Sequence, residues 1–140
     1  MPLIRTLLLI MIAGAALAHS GVQNPAVMAR MNGMSDIAAA MKMLGQMAKG
    51  TTAFEAEKAN ASLQEVAAKA AEIPILFKAP ETDPKSEALP EIWTDFETFQ
   101  SIAIDLQTAA SVEVANLNQL RRAMRNIGPT CNACHKDFRQ

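Results

Sequence analysis

Apolar side chains recur every three or four residues along four separate segments of the chain, which is the spacing of amphipathic helices. The four predicted helices cover residues 24–49, 52–77, 90–110 and 113–140. Gly50 is placed to end the first helix, and Pro90 suits the first turn of the third. Thr52 and Glu55 have the spacing of a capping box, which predicts the start of the second helix. No segment shows a convincing strand pattern, so the predicted fold class is all-α.

The connections between these helices are short, apart from a charged loop over residues 78–89 that contains Pro80 and Pro84. Four amphipathic helices joined mostly by short loops predict an antiparallel up-down four-helix bundle. In that topology the first helix runs antiparallel to the fourth. The beginning of the first helix therefore lies level with the end of the fourth.

The fourth helix carries two cysteines in its apolar register. The positions that keep this register are Leu117, Leu120, Met124, Ile127, Cys131, Cys134 and Phe138. Gly128 and Pro129 predict a kink or a break just before the cysteines. Both thiols are therefore expected to face the core of the bundle.

Cys131, Cys134 and His135 form the motif C-x-x-C-H, which is the attachment signal for a c-type haem. Two thiols three residues apart share one helix face, as they must to add across vinyl groups on the same edge of one porphyrin. His135 adjoins both, and its imidazole suits one axial position of the haem iron. A redox disulfide would open a helix after a strand, and a structural zinc site needs four ligands. Covalent haem c near the C-terminus is therefore the favoured interpretation.

Residues 1–18 are predicted to be a cleaved secretory signal peptide, which leaves residues 19–140 as the cytochrome domain. Arg5 supplies a positive start, residues 7–16 form an uncharged apolar run, and residues 16–18 read Ala-Leu-Ala, a cleavage signal. The run is short for a membrane span, and an uncleaved anchor is the alternative. Because thioether attachment in bacteria takes place outside the cytoplasmic membrane, the two signals together predict a periplasmic protein with no membrane span after cleavage.

Charge and composition indicate which classes of protein are not expected. Removing Arg5 from the 13 basic residues leaves 12 against 14 acidic ones, a formal charge of −2. This is not the footprint of a nucleic-acid-binding protein. Aromatic residues make up only 4% of the chain, which leaves room for a porphyrin in the core. No nucleophile, acid–base pair or second metal site stands out, so no enzyme is predicted.

The antiparallel bundle also indicates where a second iron ligand would come from. Three methionines lie in the facing half of the first helix, and three more are expected too far along it: Met28, Met31 and Met34 against Met41, Met43 and Met47. The apolar stripe favours Met31 or Met34 and does not choose between them. Methionine is also a common core filler, so packing alone is the alternative.

Four parts of the chain match one known family. They are the run Cys131-x-x-Cys134-His135-x-x-Phe138-Arg139, Arg30 to Met34 followed by Gly50, Ile92-Trp93 with Phe96, and Ile127-Gly128 before the cysteines. With these residues the chain resembles the class II cytochromes c, the cytochrome c′ family, over essentially the whole predicted mature domain. The haem motif is specific for haem, and its C-terminal position singles out this family of up-down four-helix bundles.

The resemblance selects Met34, because the family residue sixteen positions before the matching Gly50 faces the distal side of the iron. A methionine there resembles a low-spin branch in which it binds the iron. Five-coordinate members have a non-ligating apolar residue instead. A slip of one turn would exchange Met34 with Met31. The family arginine matched by Arg30 approaches a haem propionate, for which a guanidinium is well suited.

These inferences predict a periplasmic electron carrier whose iron is held by His135 and Met34 and whose partners are periplasmic redox proteins. The alternative within the family is a five-coordinate, high-spin cytochrome c′ that binds or sequesters nitric oxide or carbon monoxide. A helical module without haem is a third class. Family members are often dimers through their first two helices, so a homodimer is left open as a further partner.

Overall fold

A computed structural model describes residues 21–140 of the chain as a bundle of helices. The helices are α1 Pro25–Lys49, α2 Ala56–Leu76, α3 Glu91–Thr94, α4 Phe96–Ala110 and α5 Leu117–Phe138. The predicted signal peptide, residues 1–18, and the predicted start of the mature domain at His19 lie outside the described residues. Within residues 21–140, none of the helices is long and apolar enough to cross a membrane.

The four long helices form the predicted antiparallel bundle. α1 packs against α2 and α5, and α4 packs against the same two helices. At one end, the Arg121 side chain near the start of α5 donates to the Ala48 carbonyl near the end of α1. At the other end, Phe99 near the start of α4 contacts Phe77 after α2 and Phe138 at the end of α5. These contacts place the beginning of α1 level with the end of α5.

The limits of α1 follow from its capping residues. The Asn24 side chain accepts hydrogen bonds from the backbone N–H groups of Ala26 and Val27 at 2.8 and 3.2 Å. These donors have no partner within the helix. Gly50 ends the helix in the left-handed conformation with φ 80°, which glycine adopts without steric cost. The predicted limits of the first helix are therefore confirmed.

The start of α2 differs from the prediction. The helix begins at Ala56, and its N-cap Glu55 makes no side-chain capping bond. The Glu55 carboxylate instead pairs with the Lys58 ammonium at 2.8 Å on the exposed surface. The predicted capping box of Thr52 and Glu55 is therefore wrong, because Glu55 turns toward the helix that follows it.

The predicted third helix is two helices. α3 has four residues, and a break at Asp95 separates it from α4. The Asp95 side chain accepts a hydrogen bond from the Thr98 N–H at 3.4 Å and caps α4. Ile92 and Phe99 are buried on either side of the break. Because the apolar spacing continues across it, periodicity alone does not reveal the break.

The last helix, α5, begins at Leu117 rather than near residue 113 and runs through Gly128 and Pro129 without interruption. The Asn116 side chain accepts a hydrogen bond from the Gln119 N–H at 3.0 Å and fixes the later start. A break of the helix before the cysteines is therefore wrong. Pro129 lacks an N–H, so the helix forgoes one backbone hydrogen bond at this point.

The apolar core closes fully at the end of the bundle where α1 ends and α5 begins. The buried side chains there include Leu44, Met47, Ala59, Leu63 and Leu120. Beside them, the Asn60 amide donates to the Val114 carbonyl at 3.1 Å and accepts from the Val114 N–H at 2.8 Å. This pair holds the α4–α5 connection against α2. At the opposite end, the helices surround an open cavity.

Candidate haem-binding site

A cavity of about 660 Å³ opens between α1, α4, α5 and the α2–α3 connection. Its walls are largely apolar and include Ile37, Ile102, Leu106 and Phe138. Cofactor sites in proteins are apolar clefts of roughly 300–1,000 Å³ with a few placed polar groups. The lining side chains able to bind iron or attach a porphyrin are Met31, Met34, Met41, Cys131, Cys134 and His135. The cavity therefore has the size and the chemistry of a cofactor site.

Cys131 and Cys134 are partly buried and pack against the apolar core, as the register of α5 predicts. Burial raises the pKa of both thiols, to about 11 for Cys134. Each thiol is therefore protonated at neutral pH in the chain without haem. Both line the same cavity from one helix, which is the arrangement that two thioether bonds to one porphyrin require.

His135 lies at the rim of the cavity on the same helix. Burial lowers the pKa of His135, the positive charge of Arg139 lowers it further, and the carboxylate of Glu87 opposes both effects. The neutral imidazole is therefore the prevailing form at neutral pH. This is the form whose ring nitrogen binds a metal.

Met31 and Met34 line the cavity from α1, across from the cysteines of α5. Met34 also packs against the buried core. Met28 is not part of the cavity wall among the residues described. Met41 also lines the cavity, and its expected position too far along α1 to reach the iron stays a prediction. The cavity extends about two helical turns beyond Met34, further than the haem motif alone indicates.

Arg30 is buried, with only 3% of its surface exposed. Its Nε donates to the Leu76 carbonyl at 2.9 Å, its Nη1 to the Glu81 carbonyl at 2.8 Å and its Nη2 to the Ala79 carbonyl at 2.5 Å. The guanidinium therefore uses three of its five N–H donors to hold the end of α2 and the start of the α2–α3 connection. Sequence reasoning misses this role, because an arginine on an amphipathic helix usually lies on the solvated face.

Two aromatic rings complete the surroundings of Arg30. The guanidinium carbon lies 4.7 Å from the ring centre of Phe77 and 5.4 Å from that of Trp93. The Trp93 indole N–H donates to the Phe77 carbonyl at 2.8 Å. A cation against ring faces is stabilised by their quadrupoles, so these contacts fix the guanidinium where it borders the cavity.

The α2–α3 connection is tied to the beginning of α1. The Asp83 carboxylate accepts hydrogen bonds from the backbone N–H groups of Gln23 and Asn24 at 2.8 and 3.0 Å. The Asn24 side-chain amide donates to the Glu81 carboxylate at 2.7 Å. Together with Arg30, these bonds hold the connection over the helix that carries Met34.

The same connection is tied to the end of α5. Ala88 and Arg139 form an isolated antiparallel bridge, and the Leu89 N–H donates to the Phe138 carbonyl at 3.0 Å. The Glu87 carboxylate pairs with the Arg139 guanidinium. The connection therefore links the N-terminal end of α1 to the C-terminal end of α5 along the rim of the cavity.

The residues around this cavity fit haem c. Two thiols on one helix suit two thioether bonds, and the adjoining imidazole and a facing thioether are common axial ligands of haem iron. Apolar walls suit the porphyrin faces, and the polar rim suits its carboxylates. The fold and the site together define a c-type cytochrome built as a four-helix bundle with its haem motif near the C-terminus.

The chain belongs to the cytochrome c′ family, because the family model described as Cytochrome C′ matches residues 25–139. Cytochrome c-556 of Agrobacterium tumefaciens (strain B2A) is 34% identical over 110 residues, which cover 76% of this chain and 89% of the relative. Cytochrome c′ of Rhodopseudomonas palustris (strain ATCC BAA-98 / CGA009) is 30% identical over 135 residues, which cover 91% of this chain and 92% of the relative.

A solved structure agrees with the family assignment. The structure of cytochrome c′ from Rhodopseudomonas palustris superimposes with a TM-score of 0.78 at 27% identity, covering 84% of this chain and 98% of the other. The predicted family and the all-α four-helix bundle are therefore confirmed. Membership gives the chain covalent haem c as its cofactor and makes it a c-type cytochrome. A helical module without haem is thereby excluded.

Proposed function

We propose that the protein is an exported one-electron carrier whose haem iron has His135 as its proximal ligand and Met34 as its distal ligand. The observation that carries the proposal is the shared cavity: His135 lines it from α5, and Met34 lines it from the antiparallel α1. Cys131 and Cys134 hold the porphyrin by two thioether bonds. With His135 and Met34 both binding the iron, the site would be suited to electron exchange rather than to substrate chemistry.

The bound haem c supplies an iron that alternates between the ferric and ferrous states. The chain's own residues provide the surroundings. The neutral imidazole of His135 offers a nitrogen lone pair, and the soft thioether of Met34 favours the ferrous state and raises the reduction potential. Ile37, Ile102 and Leu106 contribute apolar walls, which suit the porphyrin.

Arg30 is proposed to meet a haem propionate with the N–H donors that the loop carbonyls leave over. Three of its five donors are engaged with the end of α2 and the α2–α3 connection, and the residue borders the cavity. Arg30 would then orient the porphyrin and the connection at the same time.

Export to the periplasm is part of the same proposal. The predicted signal over residues 1–18 and the need to attach haem outside the cytoplasmic membrane support it, and redox proteins of the periplasm are the expected partners. Mass spectrometry of the protein purified from the periplasmic fraction is expected to show an N-terminus at His19 and the added mass of one haem. An N-terminus at Met1 would contradict cleavage. Homodimer formation stays a prediction, and sedimentation analysis of the purified protein would test it.

The optical spectrum of the holoprotein tests the iron ligands. We expect a low-spin ferric spectrum with the charge-transfer band of a methionine–iron bond, and a ferrous spectrum that carbon monoxide does not change. Met34→Ala is expected to produce a high-spin ferric spectrum and prompt carbon monoxide binding. Met31→Ala is the matched control, because Met31 lines the same cavity one turn away, and it should leave the spectrum unchanged. A high-spin spectrum in Met31→Ala, with an unchanged spectrum in Met34→Ala, would make Met31 the ligand.

The second candidate function is reversible binding of nitric oxide or carbon monoxide at a five-coordinate iron. The observation in its favour is that the chain is similar, at 27% identity and a TM-score of 0.65, to a cytochrome c prime of Alcaligenes xylosoxidans of which a mutant was solved as a nitric oxide complex. A high-spin ferric spectrum of the unaltered protein, with rapid carbon monoxide uptake, would replace the electron-carrier proposal with this one.

A further inference from the structure

Positive charge is concentrated in two stretches of the chain. Residues 37–54 and residues 114–136 contain no Asp or Glu. Their arginine and lysine side chains that lie away from the haem motif are Lys42, Lys49, Arg121, Arg122 and Arg125. The whole chain has a formal net charge of −1, so these five cations stand against an otherwise acidic background.

The fold places the two stretches side by side. α1 packs against α5, and the Nε of Arg121 donates to the Ala48 carbonyl at 2.9 Å, so the end of α1 borders the start of α5. All five cationic side chains are exposed. No ion pair within residues 21–140 neutralises any of them. We call these exposed cations on the two adjoining helices the α1–α5 basic face.

The α1–α5 basic face continues to the haem motif. Arg122, Arg125, Pro129 and Asn132 follow one another at intervals of three, four and three residues, so they lie on one side of α5. All four are exposed. Asn132 stands between the two haem cysteines, about 10 Å along the helix axis from Arg125. A partner seated on the two arginines therefore reaches the surface directly outside the thioether positions.

We propose that the α1–α5 basic face docks a redox partner protein that presents a cluster of carboxylates around its own redox centre. This inference rests on the electron-carrier function proposed above and names the kind of partner. Complementary charge steers two proteins into contact and orients them, and arginine is enriched at the centres of protein interfaces. The small side chains between Arg125 and the haem motif let the partner approach closely.

A protein surface is favoured over an anionic lipid surface. A helix that lies on a membrane presents an apolar stripe to the lipid, whereas the apolar stripe of α5 is buried in the core. Within the two described stretches, Met43 is the one large apolar side chain that is well exposed. The face therefore offers charge for recognition and little apolar area for insertion.

Hexacyanochromate(III) maps the face without electron transfer, because it is a redox-inert, paramagnetic trianion. Added to the ¹⁵N-labelled holoprotein, it is expected to broaden the amide signals of residues 121–133 and 42–49 first. Arg122→Glu with Arg125→Glu should abolish this broadening. The matched control is Lys58→Glu with Lys78→Glu, which reverses two exposed cations on and just after α2 and should leave the broadening unchanged. Broadening confined to other surfaces would overturn the proposal.

The salt dependence of electron exchange tests the same face kinetically. In the reaction measured, the ferrous protein loses one electron and hexacyanoferrate(III) becomes hexacyanoferrate(II). A locally positive face predicts that the rate falls as salt is added, whereas the net negative charge of the chain predicts that it rises. At low salt the double arginine variant should react about tenfold more slowly, and the lysine control should match the unaltered protein.

A binding experiment distinguishes a protein partner from an anionic lipid surface. Poly-L-glutamate is expected to bind the holoprotein and to protect the same amides at 0.15 M salt, while vesicles of phosphatidylglycerol and phosphatidylcholine should not bind. Vesicle binding without poly-L-glutamate binding would overturn the protein partner. Electron exchange with no broadening of the face would overturn only the docking surface. Broadening with no electron exchange would overturn the carrier function itself.

Discussion

The two ends of the bundle differ in how the space between the helices is filled. At the closed end, Leu44, Leu63 and Leu120 are fully buried, and apolar side chains from three helices fill the space between them. At the cavity end, the same helices leave about 660 Å³ between them. Polar contacts of the α2–α3 connection add to the ring packing of Phe77, Phe99 and Phe138 in holding the rim of that cavity.

The comparison shows how one short sequence specifies both a scaffold and a site. Closed packing needs no cofactor, because the apolar side chains bury one another. The cavity end presents apolar walls that only a large apolar group can cover. Substitutions at the closed end should therefore change stability without changing the haem surroundings, and substitutions at the cavity end should change both.

The largest expected effect comes from Leu63→Ala at the closed end. Removing a fully buried leucine side chain leaves a cavity in the core, so the free energy of unfolding of the holoprotein should fall by about 3 kcal/mol. Chemical denaturation measures this change, and the haem spectrum should stay as it was. Ile104→Ala is the control, because Ile104 is 49% exposed and should cost less than about 0.5 kcal/mol. A changed haem spectrum in Leu63→Ala would contradict the separation of the two ends.

An intermediate effect is expected from Arg30→Ala at the cavity end. The variant loses hydrogen bonds to the carbonyls of Leu76, Ala79 and Glu81, and charged donors of this kind contribute about 2 kcal/mol. The free energy of unfolding should fall by about that amount, and amide exchange in residues 78–88 should become faster.

Two controls separate the hydrogen bonds of Arg30 from its charge. Arg30→Lys keeps the charge but lacks the planar fork of donors, so it should restore only part of the lost stability. Arg125→Ala, which removes an exposed arginine, should leave stability within about 0.5 kcal/mol. Unchanged amide exchange in Arg30→Ala would show that the connection is held without the guanidinium.

The strong periodic features of this chain are predictable from sequence. The register of α5 places Leu120, Ile127 and Phe138 in the core and brings Cys131 and Cys134 to the cavity, because one 3.6-residue period runs unbroken through the helix. The short connections between the helices also predict the antiparallel pairing of α1 and α5. The apolar stripe of α5 predicts the fold, and the haem motif on that stripe predicts the cofactor.

Local chemistry at the helix ends is harder to predict. Asp95 and Asn116 cap α4 and α5, yet the apolar period continues past both and conceals the breaks. Thr52 and Glu55 have the right spacing for a cap that the chain does not use. The burial of Arg30 depends on carbonyls some 46–51 residues away, and no local pattern encodes such contacts.

The smallest expected effect concerns the pH dependence of the tie between Asp83 and α1. Hydrogen bonds from the backbone N–H groups of Lys85, Asn24 and Gln23 hold the pKa of Asp83 below its ordinary value of 3.8. A carboxyl whose pKa is lowered by folding adds stability above its unfolded pKa, and this stability is lost as the pH falls through the folded value. Stability should therefore fall below about pH 4 more steeply in the unaltered protein than in Asp83→Asn.

Asp105→Asn, which removes an exposed carboxylate on α4, should keep the original pH profile. Identical pH profiles for Asp83→Asn and the unaltered protein would show that the hydrogen bonds from Gln23 and Asn24 to the ionised Asp83 carboxylate do not stabilise the fold.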